Sequence, residues 1–466
     1  MSRLRVLLLA PSCDPEDISI PYVSYCHAAA LAQLHDITLV VGSPVEERVR
    51  RAKAPFRAIE VVRTPRLDHL FAWCFRKLFR SNYDSQLLTA FRYPFSIAFE
   101  WQAWQQFRQR ILGGQFDVVL RLLPMTPVMP SPFAFFLRKG PIPFVIGPLN
   151  GGLRSAPGFS QPDKRREWIN FGFRKLSKFV PFARSTYRNA SAIIAATSHM
   201  RAQFAAHSDK LFFIPENGIT RSQCTVDSRS PISRDKLDLV FVGGLVRRKA
   251  CYLGLRAAAP LLRSNLAHFT IIGDGPERSR LDELVRSLGI EGHVSFPGWL
   301  SHTEVMKRLG SADVAVLPAI REGGGGVAFE ALANGAVPVI LDWGGPGDIV
   351  HADVGYKVPP SSEDNVVVQM TEILTELAGN RDLLKRLRLH GMSYARECLT
   401  WDAKAQATTQ VLNWVVCRGP KPDLPGSRMA RTRCVDGLDE SSQAHPAPAV
   451  ERLQRSLLHA SEIFGR

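Results

Sequence analysis

Asp313-Val-Ala-Val-Leu-Pro-Ala-Ile-Arg-Glu322-Gly-Gly-Gly-Gly-Val-Ala-Phe-Glu330-Ala-Leu-Ala-Asn-Gly335 reads as strand, loop and helix in succession. Val314 to Leu317 is a short, β-branched apolar run closed by Pro318, the pattern of a buried strand. Four glycines, Gly323 to Gly326, follow, and 327–334 carries a helical pattern ended by Gly335. A glycine-rich loop that opens a helix presents unpaired N–H groups and the positive end of the helix dipole, which together favour an anion. Glu322 and Glu330 bracket the loop with seven residues between them. Carboxylates beside a phosphate cradle repel the phosphates themselves, so their natural partners are hydroxyls. The same letters also fit a flexible loop beside a glutamate that offsets the helix dipole, and the rest of the chain must decide.

Working outward, 237–397 alternates strands and helices. Strands at 239–242, 269–272, 294–296, 313–317 and 337–341 end in Gly243-Gly244, Gly273-Asp-Gly-Pro276, Pro297-Gly298, the Glu322 loop and a turn at Asp342-Trp-Gly-Gly-Pro-Gly347. Helices are predicted at 251–262, 277–288 and, behind the capping box Ser301-His-Thr-Glu304, after 301. This is the pattern of a doubly wound parallel sheet, in which ligands bind outside the carboxyl ends of the strands. Gly243-Gly244-Leu-Val-Arg-Arg-Lys249 brings Lys249 and Arg247 or Arg248 to the anion site. Glycines, a helix N-terminus and a lysine describe a diphosphate clamp, and the two carboxylates then fall on sugar hydroxyls at its ends. That is the geometry of a nucleotide-sugar site.

The first 225 residues show the same alternation. Strands are predicted at 5–10, 37–41, 58–63, 118–122, 142–146, 192–196 and 211–214, with helices at 22–34, 95–112 and 198–206. The chain of 466 residues, 45% hydrophobic, is long enough for two such domains with separate cores. Residues 226–236 read as the linker, 401–416 as a further helix, and 418–466, rich in Pro, Arg, Ser and Gly, as a disordered tail with a short amphipathic patch at 450–464. The apolar start reads as a first buried strand, since no A-x-A-like cleavage site follows it. Eight scattered cysteines without a C-x-x-C pair fit a reducing cytoplasm and no zinc site.

A net charge of +16 points to anionic partners. It is spread through both domains and the tail, and no helix-turn-helix, RNP-like or zinc-finger signature accompanies it, which argues against nucleic acid. Two stretches concentrate it. Residues 69–80 mix bulky apolar side chains with Arg76, Lys77 and Arg80, and 164–188 holds eight Lys/Arg against one Glu, interleaved with Trp168, Phe171, Phe173, Phe179 and Phe182. Such segments suit an anionic membrane surface, or a solvated helix face whose apolar side packs inward.

The ordered set Gly243…Lys249-Ala250, Gly273-Asp-Gly-Pro276, Phe296-Pro-Gly298-Trp-Leu300, Ala312-Asp-Val314 and Glu322…Glu330 resembles the donor domain of the family 4 glycosyltransferases, retaining enzymes of the GT-B fold. The likeness covers about 239–358. A looser likeness runs through Gly147-Pro-Leu-Asn-Gly-Gly152 and Pro215-Glu-Asn-Gly218. The resemblance implies an α/β protein of two Rossmann-like domains facing a cleft: 1–225 for the acceptor, 237–397 for the donor, and 398–417 crossing back to the first domain. It implies that Glu330 binds ribose hydroxyls and that Glu322 lies by the donor sugar, with the backbone of Gly324, Gly325, Gly326 and Val327 on the sugar and distal phosphate. Gly243, Gly244, Gly273 and Gly298 would shape the donor site. Lys249, with Arg247 or Arg248, would neutralise the leaving diphosphate without a bound metal or any other cofactor. Arg121, Asn150 and Gly151 would stand on the acceptor side. The reaction implied is transfer from a nucleotide-diphosphate sugar to a saccharide or lipid-linked saccharide, with retention, in the cytoplasm or peripherally at the inner face of the plasma membrane. Gly244 departs from the family's clamp, where Arg247 or Arg248 would take over the charge; departures at Pro11-Ser-Cys-Asp-Pro-Glu-Asp17 and at Leu120-Arg121 leave a second reading, a non-catalytic protein that only binds the nucleotide sugar.

Overall fold

The computed structural model describes residues 3–64, 86–159, 181–223 and 236–424. The predicted basic segment 69–80, the greater part of 164–188, most of the linker and the tail after 424 lie outside the described residues.

Two parallel sheets organise the chain. The first has the order β3-β2-β1-β4-β5-β6-β7, built from β1 (Arg5–Leu9), β2 (Asp36–Gly42), β3 (Ala58–Val62), β4 (Val118–Arg121), β5 (Phe144–Leu149), β6 (Ala192–Ala195) and β7 (Leu211–Phe213). The second has the order β10-β9-β8-β11-β12-β13, from β8 (Leu237–Val242), β9 (Ala267–Ile272), β10 (Val294–Gly298), β11 (Val314–Leu317), β12 (Val337–Leu341) and β13 (Tyr356–Val358). All pairings are parallel.

Parallel strands covered on both faces need no polar alternation, which is why β6 and β11 are apolar throughout and β1 and β4 apolar but for one terminal arginine each. Alternate residues of β1 serve opposite faces. Val6 and Leu8 pack with Ala28 and Leu31, while Leu7 and Leu9 pack with Phe107 and Phe133. The first of these faces also takes Ala405, Val411 and Leu412 from the helix Trp401–Cys417, so the last helix belongs to the core of the first domain. His27 on the helix Ile20–Leu34 is likewise a core residue, its Nε2 2.9 Å from Thr408 Oγ1.

In each sheet the strand order reverses beside one strand: between β1 and β4 in the first, and between β8 and β11 in the second. At such a switch point neighbouring loops run in opposite directions and open a crevice at the carboxyl edge. In the second sheet the loops flanking that crevice are Gly243–Ala250 and Pro318–Gly326.

Three local expectations shift. β5 runs Phe144–Leu149 instead of 142–146, continuing through Gly147-Pro148 to Leu149. The long helix spans Gln86–Leu112 and carries Pro94 inside it, whereas the sequence reading started the helix after that proline. Asp342–Gly347, read as a turn, leads into a short helix, Gly344–Ile349. Pro346 sits in its first turn, where a missing N–H costs no helical hydrogen bond.

Candidate functional site

The crevice of the second sheet is assembled by backbone contacts between adjacent strand ends. Gly243 N–H donates to Ile272 O (3.0 Å) and Gly273 N–H to Gly298 O (2.9 Å). At Gly273, with φ +130°, a Cβ would lie 2.1 Å from the carbonyl oxygen of Gly243, so only glycine lets these ends meet. The cationic turn Arg247–Lys249 is tied to the loop after β11 by Ile320 N–H on Arg248 O at 3.0 Å. Arg247 and Arg248 are exposed, whereas Lys249 turns inward.

Lys249 Nζ forms an ion pair with Glu322, both side chains being 20% exposed. Glu322 Oε1 also accepts the Gly325 N–H at 3.3 Å. Burial pushes the Glu322 carboxyl up, but the Lys249 charge and hydrogen bond, the Gly325 N–H and the Arg248 charge outweigh it and hold the group below the usual carboxylate range. Lys249, Glu322, Gly325, Val327 and Pro346 line, with apolar residues of β8 and β11, a small open pocket. Gly325 is in the left-handed region (φ 65°) and opens the helix Gly326–Asn334.

Glu330, one helical turn and a little more from Gly326, is 22% exposed and pairs with His302 Nε2 at 3.0 Å. The hydrogen bond to Glu330 raises the imidazole's affinity for its proton, against an opposing effect of burial. Gly244 lies under the exposed indole of Trp299, 3.8 Å from where its Cβ would be. The structure therefore brings Gly243, Gly244, Lys249, Gly273, Gly298, Glu322, Gly324 to Val327 and Glu330 to one edge.

The opposite wall comes from the first domain. A Cβ on Gly323 would lie 2.8 Å from Asn150 Nδ2, and one on Gly324 2.1 Å from Glu216 Oε1 and 2.5 Å from Asn217 Nδ2. The glycine run thus admits three polar side chains of the other domain, beyond what an anion cradle alone requires. Asn150 borders the glycine run, with its Oδ1 accepting the N–H of Gly151 at 2.7 Å.

Arg121 is not on this wall, and the acceptor-side expectation for it is corrected. The residue is 1% exposed, and its Nε lies 2.8 Å from Oε1 of the buried Glu100 on the far side of the sheet from the Ile20–Leu34 helix. At the end of β4, a residue of either face reads alike in sequence; burial of its partner decides.

Sequence reasoning missed Glu216, Asn217, Lys404 and His302. Glu216 is 8% exposed, and Lys404, 5% exposed and on the helix Trp401–Cys417, donates to the Glu216 carbonyl. Pro215-Glu-Asn-Gly218 was visible as a motif; Lys404 lies 188 residues further on, with no local signal. Asp348 of the second domain accepts from the backbone N–H of Ser198 (2.8 Å) and its hydroxyl, capping a first-domain helix across the interface. Ala156 N–H on Ile320 O (2.8 Å) and Trp343 Nε1 on Arg154 O (2.8 Å) add to it.

Residues 225–388 match the family described as Glycosyl transferases group 1. An uncharacterized glycosyltransferase of Methanocaldococcus jannaschii is 29% identical over 181 residues, 39% of this chain. The match spans about half of that relative's own length, 45%. An MMP alpha-(1->4)-mannosyltransferase of Mycolicibacterium hassiacum is 25% identical over 436 residues, covering 89% of this chain and 99% of its own. Among solved structures, Anabaena HepE in complex with UDP superimposes with a TM-score of 0.59 at 14% identity, over 88% of this chain and all of that one. The fold is that of the two-domain GT-B proteins, and residues 225–388 are similar to the group 1 glycosyl transferases.

Proposed function

We propose that the protein is a glycosyltransferase that moves a sugar from a nucleoside-diphosphate sugar to an acceptor hydroxyl with retention of configuration. The observation that carries this reading is the Lys249–Glu322 pair beside the Gly323–Gly326 loop, facing Asn150 and Glu216 across a narrow cleft. A cation, free backbone N–H groups and a helix N-terminus converge where a diphosphate fits. In this reading Glu330, one turn along the same helix, takes the ribose hydroxyls, and Glu322 those of the transferred sugar. As the sugar–phosphate bond breaks, negative charge develops on the diphosphate. Lys249 then gains in attraction, and this preferential stabilisation of the departing group is the source of rate. Cleft closure keeps water from the reacting carbon.

The relatives support the class of donor: HepE was solved with UDP, and the mycobacterial relative is named as a mannosyltransferase. A role at an anionic membrane surface, with a lipid-linked saccharide as acceptor, is supported by the basic, aromatic segments 69–80 and 164–188. Among the described residues it is supported by Trp101 and Phe135, 46% and 36% exposed, with the Arg138 guanidinium 3.8 Å from the Phe135 ring centroid. No described helix is long and apolar enough to cross a membrane.

The test is to incubate the protein with UDP-, GDP- and ADP-sugars and anionic lipid extract and to follow both transfer and donor hydrolysis. Turnover of one donor, lost in Glu322→Gln, supports the reading. Binding without turnover leaves a nucleotide-sugar-binding protein, and no interaction with any donor refutes both.

A further inference from the structure

Glu216 is the least expected group in the cleft. It follows β7, and its backbone is fixed on both sides. Its carbonyl accepts from Lys404, Ile219 N–H donates to Leu399 O (3.0 Å), and Trp401 N–H donates to Ile219 O (3.0 Å). Gly218 allows the Trp401 ring to press against the chain, since a Cβ there would lie 2.8 Å from it. The side chain therefore has little freedom to withdraw. Its Oε1 lies against Gly324 of the donor loop beside Asn217, and Asn150 lies against the neighbouring Gly323. Its Oε2 is buried and meets no hydrogen-bond donor among the described residues. A buried carboxylate oxygen without a donor is costly unless a ligand completes it.

We propose that Glu216 is a specificity-determining residue whose free Oε2 accepts a hydrogen bond from a hydroxyl of the transferred sugar. This rests on the donor-site reading above and adds to it a contact from the opposite domain. A phosphate is the wrong partner for a carboxylate, and this carboxylate adjoins the loop of Glu322 through its Oε1, so the donor's sugar is the hydroxyl-bearing group we assign to Oε2. The charges facing it agree. Burial and the Glu322 carboxylate raise the proton affinity of Glu216, while Asn150 and Lys404 oppose them. Burial likewise lowers the Lys404 ammonium to about 7, with Glu216 and Cys26 opposing. Glu216 and Glu322, one from each domain, would then hold the sugar between them.

The experiment compares nucleoside diphosphate with nucleotide sugar by calorimetry: UDP against UDP-glucose, GDP against GDP-mannose and ADP against ADP-glucose, using the pair that wild type binds. Glu216→Asp withdraws the oxygen by one methylene and keeps the charge beside Lys404; Glu216→Ala removes it. Each variant is expected to bind the diphosphate as wild type does and the nucleotide sugar about tenfold or more weaker, the scale of a hydrogen bond to a charged group. If Glu216→Ala does not fold, Glu216→Asp carries the comparison alone. Equal affinity of wild type and variants for the nucleotide sugar overturns the proposal while leaving the donor site standing. Loss of diphosphate binding in the variants overturns it in favour of a purely structural role, and wild type that binds no nucleotide overturns the donor reading and this inference together.

Discussion

Gly324→Ala is the sharpest perturbation of the cleft, because the residue's φ is ordinary for any amino acid and only its neighbours object. The added methyl would stand 2.1 Å from Glu216 Oε1 and 2.5 Å from Asn217 Nδ2, closer than real contacts allow. Glu216 is 8% exposed and its backbone is held by Lys404 and by the Ile219–Leu399 and Trp401–Ile219 hydrogen bonds, so the side chain cannot withdraw without moving the chain. Overpacking of this kind costs about 1–3 kcal/mol. The cost falls on the closed cleft, since separating the domains removes the clash and touches neither core. At about 1.4 kcal/mol per factor of ten, the closed-to-open ratio falls by about 5- to 150-fold. Small-angle scattering should show a larger radius of gyration for Gly324→Ala, and donor turnover should fall in proportion, while secondary structure is retained. Gly379→Ala, where a Cβ meets nothing within 4 Å, serves as the control. Wild-type scattering and turnover in Gly324→Ala would refute the claim that the glycine run is shaped by the opposite domain.

Other consequences can be checked independently. Arg121→Met strands the buried Glu100 and should cost about 3–5 kcal/mol in denaturant unfolding, with Arg121→Met/Glu100→Leu recovering much of the loss; a stable single variant that binds donor but fails to transfer would restore Arg121 to the acceptor side. The His302 imidazole has its proton affinity raised by Glu330, so its contribution to stability is fully present below about pH 6.5 and is lost as pH rises through the raised value. The melting difference between wild type and His302→Ala should therefore shrink from about pH 6 to pH 8, from no more than the 0.2–1 kcal/mol of an exposed pair. A difference that grows over this range would contradict the pairing. Glu322→Gln, which keeps the shape but not the charge opposite Lys249, should reduce turnover at least about tenfold with little change in melting temperature; unchanged turnover would remove Glu322 from the reacting centre.

The sheets were legible because parallel strands buried on both faces leave unbroken apolar runs, and β8 to β12 are punctuated by glycines at their carboxyl ends. The capping box at Ser301–Glu304 and the Gly335 helix end were equally visible, since each is a local bond pattern. β5 slipped in register because Gly147-Pro148 looks like a terminator, yet the strand runs through it to Leu149. Gly344–Ile349 hid as a turn because glycine and proline mark both a turn and a helix's first residues. The cleft was half legible. Glu322, Lys249 and Asn150 each belong to a short motif, and the structure sets them face to face. Glu216 with Lys404, and Glu330 with His302, are pairs separated by 188 and 28 residues, whose meaning exists only once both members are placed. Arg121 misled because a charge at a strand's end is read as reaching the cleft, and nothing local announces a partner such as Glu100.

The central claim is that the loops after β8 and β11 hold a diphosphate through Lys249 and the backbone at Gly324–Val327. Titrating UDP, GDP and ADP into wild type and Lys249→Ala by calorimetry tests it most directly. Wild type should bind one of them, and removal of the cation should weaken that binding at least about tenfold, the scale of a charge-assisted hydrogen bond. Binding of equal strength in Lys249→Ala, or none by wild type, would contradict the account.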